Sequence, residues 1–195
     1  MHRLLASTLC AAALAASQSA CPPCDTGRPD LFYDGLQSAC EGLPCGWTVE
    51  AGDVASVYTY HEAERGLRLA QGAVASRPLP AVALPEADPD GPVLTLLAAC
   101  APEAELVVEV ELELSAPEGT SAAPERVLLV GRLAADPARL ASGPLLSVDV
   151  PLTAEDGAPA PAGRAVLLRV GVEGAGACTL DDLHLVHPEH YDCFG

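Results

Sequence analysis

The chain has 195 residues and a formal net charge of −17, from 10 Lys and Arg against 27 Asp and Glu. A length of this order suits one domain with a core of its own. The charge argues against nucleic-acid binding, because no basic surface is available to neutralise phosphates. Half of the residues are hydrophobic but only 4% are aromatic, which leaves few rings for a binding surface.

The N-terminal segment "MHRLLASTLCAAALAASQSAC" has a short basic start, an apolar run from Leu4 to Ala16 and then small residues. This pattern is typical of a secretory signal peptide, and the run is shorter than a membrane-spanning helix needs. We assign residues 1–20 to the signal. The sequence therefore predicts an exported protein whose cysteines pair in an oxidising compartment.

The end of this segment, "SQSAC", resembles a bacterial lipoprotein signal, in which the cysteine after small residues is lipidated and becomes the first residue. Gln18 stands where leucine is usual. If Cys10 leaves with the signal and Cys21 carries lipid, six of the eight cysteines remain, which is an even number. The resemblance implies a membrane anchor on Cys21 with residues 21–29 as a tether. The alternative is a soluble, secreted protein.

Past the signal, the patterns predict β-structure throughout. In "LVVEVELEL" (106–114) apolar residues alternate with glutamates, as in a strand with one buried and one solvated face. In chain order the predicted strands are 54–62, 66–70, 93–100, 106–114, 126–133, 145–152, 165–173 and 178–186, with turn-rich segments between them. The one candidate helix, 135–142, is short. This spacing predicts an all-β fold, an antiparallel β-sandwich.

The last predicted strand, "CTLDDLHLV" (178–186), contains two adjacent aspartates. Because side chains alternate along a strand, Asp181 should share a face with Leu183 and Leu185, and Asp182 should point the other way with His184. One carboxylate is therefore expected to point into the core, where an unpaired charge is costly.

Four stretches together resemble the galactose-binding-domain-like, or carbohydrate-binding-module, jelly rolls. Such modules open with N-G-x-F-E, continue with G-W and G-x-x-L-x-L, and close on [I/L]-D-D-[V/L]-x-L. The corresponding stretches are "DGLQS" (34–38), "CGWTVEAGD" (45–53), "RGLRLA" (65–70) and "CTLDDLHLV" (178–186). The resemblance covers about residues 30–187 and implies a jelly-roll β-sandwich, with residues 188–195 as a tail. It also implies that Trp47 packs in the core.

The resemblance further implies a structural Ca²⁺ between the first and last strands. Asp181 would be the carboxylate ligand, since calcium prefers hard oxygen donors. Gln37 replaces the glutamate of the opening motif, so its amide can supply an oxygen but a negative charge is lost. In the alternative, Asp181 accepts backbone N–H hydrogen bonds at the rim of the sandwich and needs no metal.

Three disulfides are expected: Cys40–Cys45, Cys24–Cys193 and Cys100–Cys178. The first encloses a short turn-forming loop, "EGLP". The second is implied by the resemblance, because the first and last strands of the jelly roll are adjacent and antiparallel. The third is implied by the resemblance as well, because it joins Cys100 and Cys178 only once Cys24 is taken to pair with Cys193; the sequence alone leaves fifteen pairings open.

The function implied by the resemblance is a non-catalytic, extracytoplasmic binding module, with carbohydrate as the first ligand to consider. Carbohydrate modules usually present exposed aromatic rings, and the best available surface here is formed by Tyr58, Tyr60 and His61. Packing in the core or on the face of the sheet is the alternative for these tyrosines. A structural or protein-interaction sandwich, with an envelope protein as its partner, is the competing function and suits the low aromatic content.

Enzymatic activity is not expected. "HEAER" (61–65) begins like a zinc-protease motif, but Arg65 occupies the place of the second histidine. The C-terminal region spaces four potential Zn²⁺ ligands three residues apart: His184, His187, His190 and Cys193. Pro188 breaks any helix that would align them, so a metal-dependent enzyme using this tail is the least favoured function.

Overall fold

A computed structural model describes residues 31–59, 64–84, 91–114, 123–134 and 145–186. The predictions for the signal, the tether, the helix at 135–142, Tyr60, His61 and the C-terminal tail lie outside these residues. Among the residues described, no helix is long and apolar enough to cross a membrane.

The described residues form fourteen strands. They are β1 (Phe32–Asp34), β2 (Ala39–Cys40), β3 (Leu43–Pro44), β4 (Thr48–Ala51), β5 (Val54–Tyr58), β6 (Arg65–Ala70), β7 (Val74–Leu84), β8 (Val93–Cys100), β9 (Glu103–Glu113), β10 (Arg126–Ala134), β11 (Leu146–Pro151), β12 (Thr153–Ala154), β13 (Gly163–Ala175) and β14 (Ala177–Val186).

Two six-stranded antiparallel sheets make up the fold. Sheet I has the order β11-β8-β14-β6-β5, with β1 also paired to β14, and sheet II has the order β12-β10-β9-β13-β7-β4. The strands β2 and β3 form a separate small hairpin. The predicted all-β, antiparallel β-sandwich is confirmed.

The core lies between the two sheets, and the alternation in β9 shows how the sequence creates it. Val108, Val110 and Leu112 are buried, whereas the glutamates between them face outward. Removing one such side chain from water is worth about 1.5–3 kcal/mol. A one-residue shift of register would reverse the two faces of β9, so the apolar pattern fixes the strand's position.

Strand β7 is not predicted by the sequence, because Pro78 and Pro80 interrupt its apolar pattern. Proline cannot donate a hydrogen bond and is therefore tolerated only where one edge of a strand is free. The neighbouring β4 pairs only with Val74–Ser76, so both prolines lie beyond the segment that β4 covers. On its other side β7 pairs with β13 along most of its length.

Two of the three predicted disulfides are confirmed. Cys40 and Cys45 are bridged across the β2–β3 hairpin, and Cys100 is bridged to Cys178 across neighbouring strands of sheet I. The remaining predicted pair, Cys24–Cys193, lies outside the described residues.

Strand β14 changes its partner half-way along one edge. Residues 177–180 pair with β6, and residues 183–185 pair with β1, while β8 covers the opposite edge. At the changeover the register with β8 shifts between Asp181 and His184, and Asp182 has a positive φ of 49°. Such a bulge redirects side chains locally, and aspartate tolerates the left-handed conformation better than most residues. The two aspartates are thus placed at the junction of three strands.

Candidate functional site

The buried carboxylate of Asp34 anchors the first strand to the rest of the sandwich. Its Oδ2 accepts hydrogen bonds from Trp47 Nε1 (2.7 Å) and from the guanidinium of Arg77, and its Oδ1 accepts one from the Leu36 backbone N–H (3.0 Å). The Arg77 guanidinium also lies 5.2 Å from the centre of the Phe32 ring. Trp47 is buried, in agreement with the core position predicted for it. Asp34 and Arg77 are therefore structural.

Asp181 is buried as expected, with 4% of its surface exposed, but its neighbours differ from those of Asp34. Its Oδ2 accepts a hydrogen bond from Thr59 Oγ1 (2.9 Å), and its Oδ1 accepts one from the Asp182 backbone N–H (2.9 Å). Burial raises the pKa of Asp181, and the charges of Asp182 and Glu64 raise it further, against the lowering effect of these two hydrogen bonds. A cation would relieve this unfavourable charge.

The fit of a calcium ion at this position is partial. Gln37, the second predicted ligand, already uses its amide Oε1 to accept a hydrogen bond from the Arg65 backbone N–H (3.0 Å). Asp181 is the one buried carboxylate available, and no cluster of three or more His, Cys, Asp or Glu suited to a metal occurs in the described part of the chain. Hard oxygen donors beyond Asp181 and Gln37 would have to include backbone carbonyls.

Tyr58 is a surface residue, with 61% of its area exposed. The Arg65 guanidinium lies 4.9 Å from the centre of its ring and donates a hydrogen bond from Nη2 to the phenol oxygen (3.2 Å). The other two residues of the predicted aromatic surface, Tyr60 and His61, lie outside the described residues, so the assignment of a ligand to this surface stays a prediction.

A second exposed tyrosine, Tyr33, lies on sheet I next to the paired aspartates. Its hydroxyl donates a hydrogen bond to Asp182 Oδ1 (2.7 Å), and its ring centre lies 4.5 Å from that of His184. His184, predicted as a potential zinc ligand, is therefore in contact with an aromatic ring. The other three residues of that predicted zinc set lie outside the described residues.

A groove of about 470 Å³ lies on the outer face of sheet II, among the described residues. Its floor follows from the register, because Val107 of β9, Gly171 of β13 and Val74 of β7 lie side by side across three strands. Gly171 leaves the centre of this row without a side chain, while the two valines make the floor apolar. A Cβ at Gly171 would meet its neighbours at 3.4 Å, which is ordinary contact.

One wall of the groove is an ion-pair cluster around Arg169. Its Nε lies 3.1 and 3.2 Å from the two carboxylate oxygens of Glu50, and its Nη1 lies 4.0 Å from Glu109 Oε2 and 3.8 Å from Glu111 Oε2. A hydrogen bond with the Ser76 side chain is the main cause of the lowered pKa of Glu50, and Arg169 lowers it further, against the opposing effect of burial. Glu50 is therefore ionised at neutral pH.

Beyond the floor row lies a second cluster, around Arg132. Its Nη1 lies 2.8 Å from Glu173 Oε2 and 3.2 Å from Glu105 Oε2. The hydrogen bond and the charge of Arg132 lower the pKa of Glu173. The groove thus has an apolar floor between two sets of fixed hydrogen-bonding groups.

Sequence patterns did not identify this groove. The alternating glutamates of β9 were predicted to face outward, and they do. Arg169, which lies within 4.0 Å of Glu109 and Glu111, is 58 or more residues away along the chain, and Glu50, the partner of Arg169, lies on β4. Only the register of β13 between β9 and β7 brings them together. The one sequence signal was the glycine at 171 within an otherwise apolar strand, since such a glycine often marks the close approach of another group.

No protein-family model matches the chain, and no curated sequence is significantly similar to it. Among solved structures, it is similar to the family 22 carbohydrate-binding and catalytic modules of endo-1,4-β-D-xylanase 10B from Clostridium thermocellum, complexed with xylohexaose. The TM-score is 0.46 at 11% identity, over 82% of this chain and 29% of that chain.

Two separate modules give similar values. A family 22 xylan-binding domain from a Paenibacillus barcinonensis xylanase has a TM-score of 0.43 at 12% identity, over 82% of this chain and 94% of that chain. A family 11 module from Clostridium thermocellum, in complex with a β-1,3-1,4-mixed-linked tetrasaccharide, has 0.41 at 9%, over 75% and 91%. These neighbours belong to the class that the sequence motifs resemble, and the sugars in their names are ligands of those proteins.

Proposed function

We propose that this protein is a non-catalytic carbohydrate-binding module and that its ligand lies in the groove of sheet II. The observation that carries the proposal is the combination of an apolar floor (Val74, Gly171 and Val107) with charged walls. A pyranose ring has the matching properties, because its C–H groups form an apolar face and its hydroxyl groups radiate from the edge. Binding sites for small molecules commonly join an apolar lining with a few fixed polar groups.

The walls favour this use because their side chains are already held in place. Arg169 is fixed by Glu50, and Glu173 is fixed by Arg132. Hydrogen bonds that involve an ionised partner are stronger than neutral ones, and a pre-ordered site loses less side-chain entropy when a ligand binds. The groove lining contains no aromatic ring, so we expect weak binding, with Kd of the order of 1 mM, or about 4 kcal/mol.

The test is calorimetric titration of the full chain with xylo-, cello- and manno-oligosaccharides, repeated with two variants. Gly171→Leu should fill the groove and abolish binding with little change in Tm, because the backbone at 171 is not left-handed and an added Cβ fits. Tyr58→Ala, which removes an exposed ring from sheet I, should bind like the wild type. If Tyr58→Ala loses binding and Gly171→Leu keeps it, the ligand belongs to the predicted aromatic surface instead. No binding by the wild type to any glycan would favour the structural, protein-interaction alternative.

We further propose that the protein is exported and anchored to the cell envelope by lipid on Cys21. The two disulfides fit an oxidising, exported environment. The signal-like segment and the resemblance of "SQSAC" to a lipoprotein signal support the finer location. A lipidated N-terminal peptide, detected by mass spectrometry after export, would support the anchor, and an unmodified one would contradict it.

A further inference from the structure

We propose that the groove of sheet II selects saccharides that carry amino groups, of the glucosamine type, over neutral saccharides and over uronic acids. This inference rests on the proposed carbohydrate-binding function and adds a ligand class to it. It follows from the charges that line the groove and from the partners those charges already have.

The charged residues that line the groove carry a net negative charge. Three are carboxylates (Glu50, Glu109 and Glu173) and one is a guanidinium (Arg169), so their formal sum is −2. The whole chain carries −17, so the long-range field has the same sign as the local one. A cationic ligand is therefore attracted from a distance and a uronate is repelled.

The two arginines next to the groove already have glutamate partners. Arg169 is engaged by Glu50, with Glu109 and Glu111 within 4.0 Å, and Arg132 is engaged by Glu173 and Glu105. A uronate carboxylate would therefore compete with these glutamates for the arginines and would be repelled by their charge. A neutral sugar could use the carboxylates as acceptors, but it would leave their excess charge uncompensated.

Two of the lining carboxylates retain free acceptor sites on opposite sides of the apolar floor. Glu109 reaches its nearest cationic atom only at 4.0 Å. Glu173 accepts hydrogen bonds from Arg132 on both oxygens, at 2.8 and 3.5 Å, but its side chain is 58% exposed and each carboxylate oxygen has a second lone pair for a ligand. In the register of β9 and β13, Glu109 lies opposite Arg169 and Glu173 lies opposite Glu105, with the Gly171–Val107 pair between. Four residues of strand separate the two rows, or about 13 Å, which suits an oligosaccharide with several ammonium groups.

The experiment compares four oligosaccharides of equal length by calorimetry, using the full chain at about pH 5.5, where amino groups are protonated and ordinary glutamates ionised. The probes are the β-1,4-glucosamine hexamer, its fully N-acetylated counterpart, xylohexaose and hexagalacturonate. We expect the glucosamine hexamer to bind most tightly, with an affinity that falls as salt is raised, since screening shortens from about 10 Å at 0.1 M to about 3 Å at 1 M.

Two variants that each remove one negative charge test whether the glucosamine hexamer binds in the groove. Glu109→Gln should weaken binding of the glucosamine hexamer about two- to fivefold, the range for one exposed charge pair, and should weaken binding of xylohexaose by a smaller factor. Glu155→Gln, in the turn after β12 and outside the groove lining, should change neither.

The outcomes distinguish the selectivity for amino sugars from the proposed carbohydrate-binding function. If xylohexaose or the N-acetylated hexamer binds as tightly as the glucosamine hexamer, the selectivity is wrong and the carbohydrate-binding function stands. If none of the four binds, the selectivity is wrong, and the carbohydrate-binding function is wrong as well if the cello- and manno-oligosaccharides also fail to bind. If polylysine competes as effectively as the glucosamine hexamer, the attraction is one of charge alone and the inference is overturned.

Discussion

Asp34 and Asp181 are both buried, yet their surroundings have opposite consequences for stability. Asp34 is matched by the Arg77 guanidinium and two N–H donors, so its charge is compensated. Asp181 has one hydroxyl and one N–H, and the charges that act on it are negative. At neutral pH its ionised form therefore costs stability unless a cation binds there.

This difference predicts a pH effect that belongs to Asp181 alone. Because its pKa is raised in the folded state, the folded protein binds its proton more readily than the unfolded chain. The stability cost is present at neutral pH and disappears as the pH falls through the raised pKa. In the presence of chelator, Asp181→Asn should therefore match or exceed the wild type in Tm at pH 7, and the gap should close on acidification. A gap that does not change with pH would contradict the prediction.

The calcium hypothesis makes the opposite prediction when metal is added. Ca²⁺ should raise the Tm of the wild type but not that of Asp181→Asn, since a ligand at a hundredfold excess over Kd stabilises by about 2.7 kcal/mol. Gln37→Glu keeps an acceptor for the Arg65 N–H and restores a negative charge, so it should respond to lower Ca²⁺. Identical melting of the wild type in Ca²⁺ and in chelator would refute the metal site.

At the scale of strands, the sequence predicts those with a regular apolar pattern and misses the others. The strand expected at 106–114 is β9 and the one expected at 165–173 is β13, each slightly longer than its pattern. The short strands near the N-terminus are too brief to show a period, and β7 is hidden by its prolines. Local pattern gives the strands, whereas the pairing partners depend on contacts between distant residues.

The two disulfides should differ in their contribution to stability. Cys100 and Cys178 are 78 residues apart, whereas Cys40 and Cys45 are 5 apart. The loop-entropy relation gives about 4.5 kcal/mol for the long loop and about 2 kcal/mol for the short one. Urea unfolding of the two Cys→Ala double variants should therefore show the larger loss for the pair that joins β8 to β14. Equal losses would contradict the entropic argument.

At the scale of the molecule, the predictions that succeeded used residues close in sequence or a known motif order. The sandwich and two disulfides were accessible in this way. The groove was not, because its floor and walls come from four strands of sheet II whose register no local pattern reveals. Asp34 lay inside a quoted motif, but its partner Arg77 did not, so the ion pair was missed.

The pairing of the first and last described strands bears on the third disulfide. Phe32 lies opposite Leu185 in an antiparallel pair, so the start of β1 and the end of β14 lie at the same end of that pair. Cys24 is seven residues before Leu31, and Cys193 is seven residues after Val186. Peptide mapping without reductant should therefore recover a Cys24–Cys193 peptide. A peptide that joins either cysteine to another partner would refute this pairing.

The position of β14 in sheet I also predicts when that sheet can be completed during folding. β8, β6 and β1 are joined within the sheet only through β14, which is the last strand described. A ribosome synthesises the chain from its N-terminus. These three strands therefore cannot pair with β14 until residues 177–186 have emerged. Their apolar faces stay exposed to chaperones and to aggregation throughout that interval. Pairing of β14 with these strands should therefore cover their apolar faces. A nascent chain stalled before residue 177 should remain sensitive to protease.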